Sequence, residues 1–143
     1  MIYLRNIREI GREPFDQVWL VVRSLGTASG LLSQSHIVHV PELSPEWSLF
    51  SSYRRWAKNG EWNLDTFRNR YVPVFLEGAK KFGFQKAWER LKEEGATKDI
   101  CLACFCPDEA LCHRSILGAM ACKEGIPVED PVQMEVYAKR YGL

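Results

Sequence analysis

Apolar and polar residues alternate over Ile2 to Ile7, the pattern of a half-buried strand. Within Gln17 to Arg23 the run Val18, Trp19, Leu20, Val21, Val22 is too short for a helix and rich in branched side chains, which predicts a second strand covered on both faces. Gly26 to Gln34 is dense in Gly, Ser and Thr and reads as a loop. Ile37, Val38 and Val40 then predict a short third strand, ended by Pro41. A fourth strand is expected over Asp99 to Cys106, and Ile126 to Val128 would form a last short one.

The segments between follow a helical period. Ser44 is expected to cap a helix with Pro45 at its first position, and Trp47, Leu49, Phe50, Tyr53, Trp56 and Ala57 recur on its inward stripe until Asn59 and Gly60 stop it. Asn63 opens a second helix with Leu64, Phe67 and Tyr71 on one face, which Pro73 must kink or divide. A third runs from Phe84 to Glu94 with Ala87, Trp88 and Leu91 inward and Gly95 as its stop. Beyond the fourth strand, Pro107, Asp108 and Glu109 lead into a helix that ends near Lys123 and Gly125. A closing helix, Gln133 to Tyr141, turns Met134, Tyr137 and Tyr141 inward. Strands interleaved with helices predict a single α/β domain over residues 1–143: a small, at least partly parallel sheet flanked by helices, with Rossmann-like layering.

Composition agrees with one ordinary folded unit. The 143 residues are 46% hydrophobic and 26% charged, and 19 Lys plus Arg against 18 Asp plus Glu leave a net charge of +1. That balance argues against binding to nucleic acid or anionic lipid by bulk charge and leaves only a local basic face for it. No apolar run reaches the roughly 18 residues needed to span a bilayer, and Met1 to Glu9 carries no signal-peptide core, so a cytoplasmic protein without a membrane partner is expected. Five cysteines, an odd number, then favour free thiols, a metal site or thiol chemistry over a disulfide scaffold.

The distinctive passage runs Cys101, Leu102, Ala103, Cys104, Phe105, Cys106 and then, past Pro107 to Leu111, Cys112, His113, Arg114, Ser115. Side chains alternate along a strand, so Cys101 points away from Cys104 and Cys106 and a zinc knuckle is not expected. Cys104 and Cys106 share a face with α-carbons about 6.6 to 7 Å apart, at or beyond the edge of disulfide geometry. They are neighbours of one pocket or co-ligands rather than an easy bridge. Open α/β sheets bind ligands beyond the carboxyl ends of strands, and Cys106 and Cys112 flank such a strand-to-helix loop. A helix starting near Cys112 would put the thiol in the positive field of the helix end beside His113 and Arg114 and favour the thiolate. A helix capped by Asp108 would place it a turn inside, as an ordinary packed residue. The sequence permits both. Cys101 and Cys122 read as small buried hydrophobes.

Around these residues the chain resembles the YeaO-like family of bacterial proteins, domain of unknown function 488. The likeness rests on Cys104 near a strand end followed by the contiguous Cys112, His113 and Arg114, and on Leu20 to Ser24, where Arg23 closes an early strand. It extends through Ser44, Pro45, Tyr53, Trp56, Trp62, Phe67 and Tyr71. The resemblance implies a fold and a pocket where Arg23, Cys112, His113 and Arg114 meet, but no reaction. Cys106 departs from it, since that position is more often acidic in the family, which lends weight to a thiol-rich metal site.

Three functional classes follow. In the first the chain is a thiol-dependent enzyme or nucleotide-handling protein, with Cys112 and His113 catalytic and Arg114, Arg23, Ser115 and Ser24 binding a small anionic or nucleotide-like ligand. In the second, Cys104, Cys106, Cys112 and His113 hold zinc or iron. In the third the helical block, where Tyr53, Arg54, Arg55, Trp56 and Lys58 interleave aromatics and bases, binds nucleic acid or protein without catalysis. A helix puts Tyr53, Trp56 and Ala57 inward and the three bases on the solvated side, which weakens the third class. His36 and His39 have no evident partner in the sequence.

Overall fold

A computed structural model describes all residues, 1–143. Four strands, β1 (Ile2–Asn6), β2 (Gln17–Leu20), β3 (Ile37–His39) and β4 (Ile100–Cys104), form one sheet in the order β1-β4-β2-β3, with every pairing parallel. The sheet is thus wholly parallel. Six α-helical segments follow in chain order: α1 (Trp47–Lys58), α2 (Leu64–Thr66), α3 (Val72–Gly78), α4 (Phe82–Gly95), α5 (His113–Lys123) and α6 (Pro131–Tyr141).

The register places Leu4, Leu102 and Trp19 in one row across the sheet. That face receives the long helices: a Cβ added to Gly118 of α5 would lie 3.0 Å from Leu4, one added to Gly95 of α4 would lie 2.9 Å from Ile2, and Arg90 of α4 lies over the Trp19 ring. The opposite face carries Tyr3 and Arg5, which meet Phe15 and Glu13 after the 3₁₀ segment Ile7–Arg12. Arg5 also grips Glu129, tying the start of the chain to the segment before α6. Gly118 lets α5, β1 and α6 approach closely, since its added Cβ would also meet Met134 Sδ at 2.5 Å. Gly118→Val is expected to cost about 1–3 kcal/mol by overpacking. Urea unfolding should then show a lower midpoint with an unchanged slope.

Several boundaries differ from the sequence reading, each for a local reason. The first helix starts at Trp47, not Pro45. A 3₁₀ turn over Pro41–Leu43 precedes it, and the Ser44 hydroxyl donates back to the Pro41 carbonyl instead of capping a helix. The late start leaves Trp47 58% exposed, and Ala57 is exposed as well. The second helix is divided as Pro73 requires, but on the N-terminal side of the ring: a π turn separates α2 from α3, which has Pro73 in its first turn. The backbone opens into a π turn over Phe67–Tyr71, widening where the proline ring would otherwise strike the carbonyl four residues earlier, and α3 continues beyond it. Asn63 caps α2 by accepting from the Thr66 N–H, while Leu64 turns outward. The Gly26 to Ser33 loop winds as 3₁₀ turns. Ile126 to Val128 contributes only a parallel bridge, Ile2 to Val128, at the sheet edge.

One topological fact positions the site. The chain leaving β2 turns to β3 on one side, and the chain leaving β4 passes through α5 to the opposite edge, where Val128 meets β1. The two connections diverge from neighbouring strands, so a crevice opens at their carboxyl ends.

Candidate functional site

Both helix starts that the sequence left open are used. Asp108 caps a 3₁₀ turn, Glu109–Leu111, by accepting from the Ala110 N–H, and α5 itself begins at His113 with Cys112 as its N-cap residue. The thiol therefore sits at the helix end, in its positive field. β4 stops at Cys104, and Cys106 lies in the loop beyond it, still close to the same point.

The Cys112 sulfur is 2.9 Å from Cys104 Sγ, 3.5 Å from Arg114 Nε and 3.6 Å from His113 Nδ1. The sulfurs of Cys104, Cys106 and Cys112 all lie within 4.8 Å of one another. His113 Nε2 is 2.6 Å from the Val21 carbonyl, which can only accept, so Nε2 carries a proton and Nδ1 turns its lone pair, or its proton in the imidazolium, toward Cys112. The Arg114 guanidinium is fixed by donation to the Cys106 carbonyl at 2.8 Å. His39 holds the next carbonyl, Val22, at 2.7 Å, so the extended chain after β2 is pinned by two imidazoles.

Burial alone would push the Cys112 thiol up. Hydrogen bonds from the Cys104 and Cys106 thiols, with the field and hydrogen bond of His113, outweigh it and hold Cys112 well below the usual thiol range. Burial and contact with its sulfur neighbours push Cys104 up. For Cys106, the hydrogen bond with Cys104 favours the charged form, but the one with Cys112 and burial push it up. One sulfur thus takes the charge while two neighbouring thiols keep their protons and donate. Cys101 faces the other side of the sheet and burial pushes it up to about 12. Cys122 stands apart, against Glu135.

Cys112 is only 1% exposed, yet it is part of the wall of a pocket of about 210 Å³. His113, Cys104 and Cys106 line the pocket beside it. Val22, Arg23 and Ser24 come from the end of β2, and Phe105, Pro107 and Leu111 from the loop after β4. The remaining wall is Pro45 with the aromatic rings of Phe50, Tyr53, Trp62 and Tyr71. Tyr53 and Trp62 meet edge to face at 4.7 Å, and Phe67 packs behind them against Trp62 and Tyr71. Arg23 donates through Nε to the Pro45 carbonyl, lies over the Trp47 ring at 6.0 Å and has no carboxylate partner, so its terminal N–H groups have no hydrogen-bond acceptor.

The structure therefore brings Arg23, Ser24, Cys104, Cys106, Cys112 and His113 to one pocket. It places Arg114 and Ser115 behind the sulfur, not in the pocket wall. Ser115 is fully buried, its hydroxyl bonded to the Cys112 carbonyl and to Tyr141. His113 does not join the three-sulfur group. The aromatic wall is what the sequence reading missed, because helical spacing assigns Tyr53 and Tyr71 to a packing stripe and gives no sign that the stripe borders a cavity.

A family model described as the active DUF488-N3 subclade matches residues 9–125. The chain belongs to the DUF488 family. The match takes in β2, the helical block, β4 and α5, and so every residue of the DUF488 pocket described above. No curated protein and no solved structure matches the chain. No helix is long and apolar enough to cross a membrane.

Proposed function

We propose that this DUF488 protein is a thiol-dependent enzyme in which Cys112 is the nucleophile, acting on a small molecule that joins an anionic group to a flat or apolar body, nucleotide-like ligands among them. The carrying observation is the Cys112 sulfur at the foot of an aromatic pocket, with a thiol, an imidazole nitrogen and a guanidinium N–H all within 3.6 Å of it. The family model's description as an active subclade is consistent with catalysis.

Each residue has a role. His113 Nδ1 takes the Cys112 proton, and the Val21 carbonyl fixes the tautomer that allows it. Arg114, buried beside the sulfur, balances the thiolate charge and holds it near neutral pH. Arg23, with Ser24 beside it, receives the anionic group, and the aromatic rings take the body of the ligand. In the covalent step the Cys112 electron pair forms a bond to the electrophilic centre, the bond to the leaving group breaks, and the His113 imidazolium returns its proton to that group. An acceptor, water or another nucleophile, then displaces the thiolate.

Alkylation by iodoacetamide across pH tests this. The thiolate is the reacting form, so a depressed Cys112 must reach its full rate by about pH 7, whereas an ordinary thiol is only a few per cent ionised there and keeps gaining rate to about pH 9. Peptide mapping should place the label on Cys112. A rate that still climbs above pH 8, or label on another cysteine first, overturns the assignment.

The three clustered sulfurs favour a second reading, a zinc or iron ion on Cys104, Cys106 and Cys112. Two thiolates on one tetrahedral zinc stand about 3.8 Å apart, and the 2.9 Å between Cys104 and Cys112 is too short for that spacing. Protein purified without chelator is expected to carry no stoichiometric zinc or iron. One metal per chain, lost in Cys112→Ser, would establish the second reading instead.

A further inference from the structure

The pocket chemistry above uses Cys112, His113, Arg114 and Arg23 and leaves Cys104 only as a donor. Its position gives it more to do. Cys104 is the last residue of β4, Cys112 caps α5, and their sulfurs are 2.9 Å apart. A disulfide bond of about 2.05 Å requires the sulfurs to close by less than about 1 Å. The segment that must yield, Phe105 to Leu111, is a partly exposed loop with a single 3₁₀ turn, so closure breaks no strand pairing and no turn of α5. The Cys106 N–H lies 3.4 Å from Cys104 Sγ and would steady negative charge there when the bond is later reduced. No other cysteine competes from outside, because Cys101 faces the far side of the sheet and Cys122 stands against Glu135.

We propose that Cys104 and Cys112 are a dithiol–disulfide couple, in which Cys112 meets a small hydroperoxide entering the aromatic pocket and Cys104 resolves the oxidised sulfur. This rests on Cys112 being the nucleophile. The Cys112 thiolate attacks the terminal peroxide oxygen, the O–O bond breaks, and the departing alkoxide takes the His113 proton and leaves as an alcohol. Cys112 is now a sulfenic acid. Cys104 then attacks the Cys112 sulfur; the S–S bond forms, and the hydroxide released combines with the Cys104 proton as water. The balance is one hydroperoxide and two thiols giving one alcohol, one water and one disulfide. A low-molecular-weight dithiol restores both thiols by exchange. Oxidation thus removes the nucleophile reversibly and protects it from over-oxidation.

The test treats the full chain with one equivalent of hydrogen peroxide at pH 7, blocks remaining thiols with N-ethylmaleimide and maps the peptides by mass. The expected product is a Cys104–Cys112 linked peptide, two hydrogens lighter than the reduced pair and restored by dithiothreitol. Cys106→Ser should form the same bridge. Cys104→Ser should instead stop at a Cys112 sulfenic acid, captured by dimedone. If the bridge fails to form in protein whose Cys112 still alkylates rapidly at pH 7, or if it forms to Cys106, the couple is overturned and the nucleophile stands. If Cys112 neither alkylates nor oxidises, both readings are overturned.

Discussion

An Arg114→Met protein is expected to need a higher pH for half-maximal alkylation of Cys112, a partial shift that falls short of the ordinary thiol range because the Cys104 and Cys106 thiols and His113 still lower the Cys112 pKa. The sign follows from charge. The guanidinium lies 3.5 Å from the sulfur in a buried setting, so removing it destabilises the thiolate and leaves the neutral thiol untouched. Methionine keeps most of the side-chain volume, which separates loss of charge from loss of packing. A low-pKa thiolate is intrinsically less nucleophilic, so the pH midpoint reports the change more faithfully than the rate at a single pH. The same substitution leaves the Cys106 carbonyl with only the Asn6 amide as donor, and the lost hydrogen bond, made by a charged donor, is worth about 1.5–3 kcal/mol. Denaturant unfolding measures that cost separately. An unchanged midpoint in folded Arg114→Met would remove Arg114 from the account.

Phe67→Ala is expected to destabilise the fold by about 3–5 kcal/mol, a large share of the roughly 5–15 kcal/mol that holds a domain together. Phe67 is fully buried, with Trp62, Tyr71 and Tyr141 rings at 5.7, 5.1 and 5.6 Å. It lies behind the pocket rather than in its wall. The cavity left by truncation therefore loosens two rings that face the ligand, and Phe67→Leu, which refills most of it, should recover much of the loss. Urea unfolding of the two variants decides this; equal midpoints for Ala and Leu would mean that the surrounding rings collapse into the space.

The parts legible in the sequence share one property: they depend on local period or on a single residue's chemistry. Val18 to Leu20 mark a covered strand because the apolar run is too short for a helix and rich in branched side chains. Cys104 and Cys106 were placed near one another by the two-residue repeat of extended chain, and the structure gathers Cys112 to them. Met134, Tyr137 and Tyr141 are buried on α6 as their spacing implied. What the sequence could not supply depends on distance through space. The 3₁₀ turn before Trp47 arises from Ser44 bonding backward to Pro41, an option that competes with capping and that local pattern does not rank. The π turn before Pro73 is one of several ways to clear the proline ring, and local pattern does not choose among them. The role of His113 needed the Val21 carbonyl, 92 residues away in the chain, to fix its tautomer. Arg114 read as an anion ligand because a guanidinium beside a reactive cysteine often is one; its donation to the Cys106 carbonyl directs it instead to the sulfur.

Every proposed role of the pocket depends on the charge on Cys112, and titration of thiolate ultraviolet absorbance, taken as the difference between the native chain and Cys112→Ser, measures it without any substrate. A single-thiolate step centred well below the ordinary thiol range is expected, present in the native chain and missing from the variant. A difference that stays flat until the pH exceeds about 8, where free cysteine ionises, would contradict it.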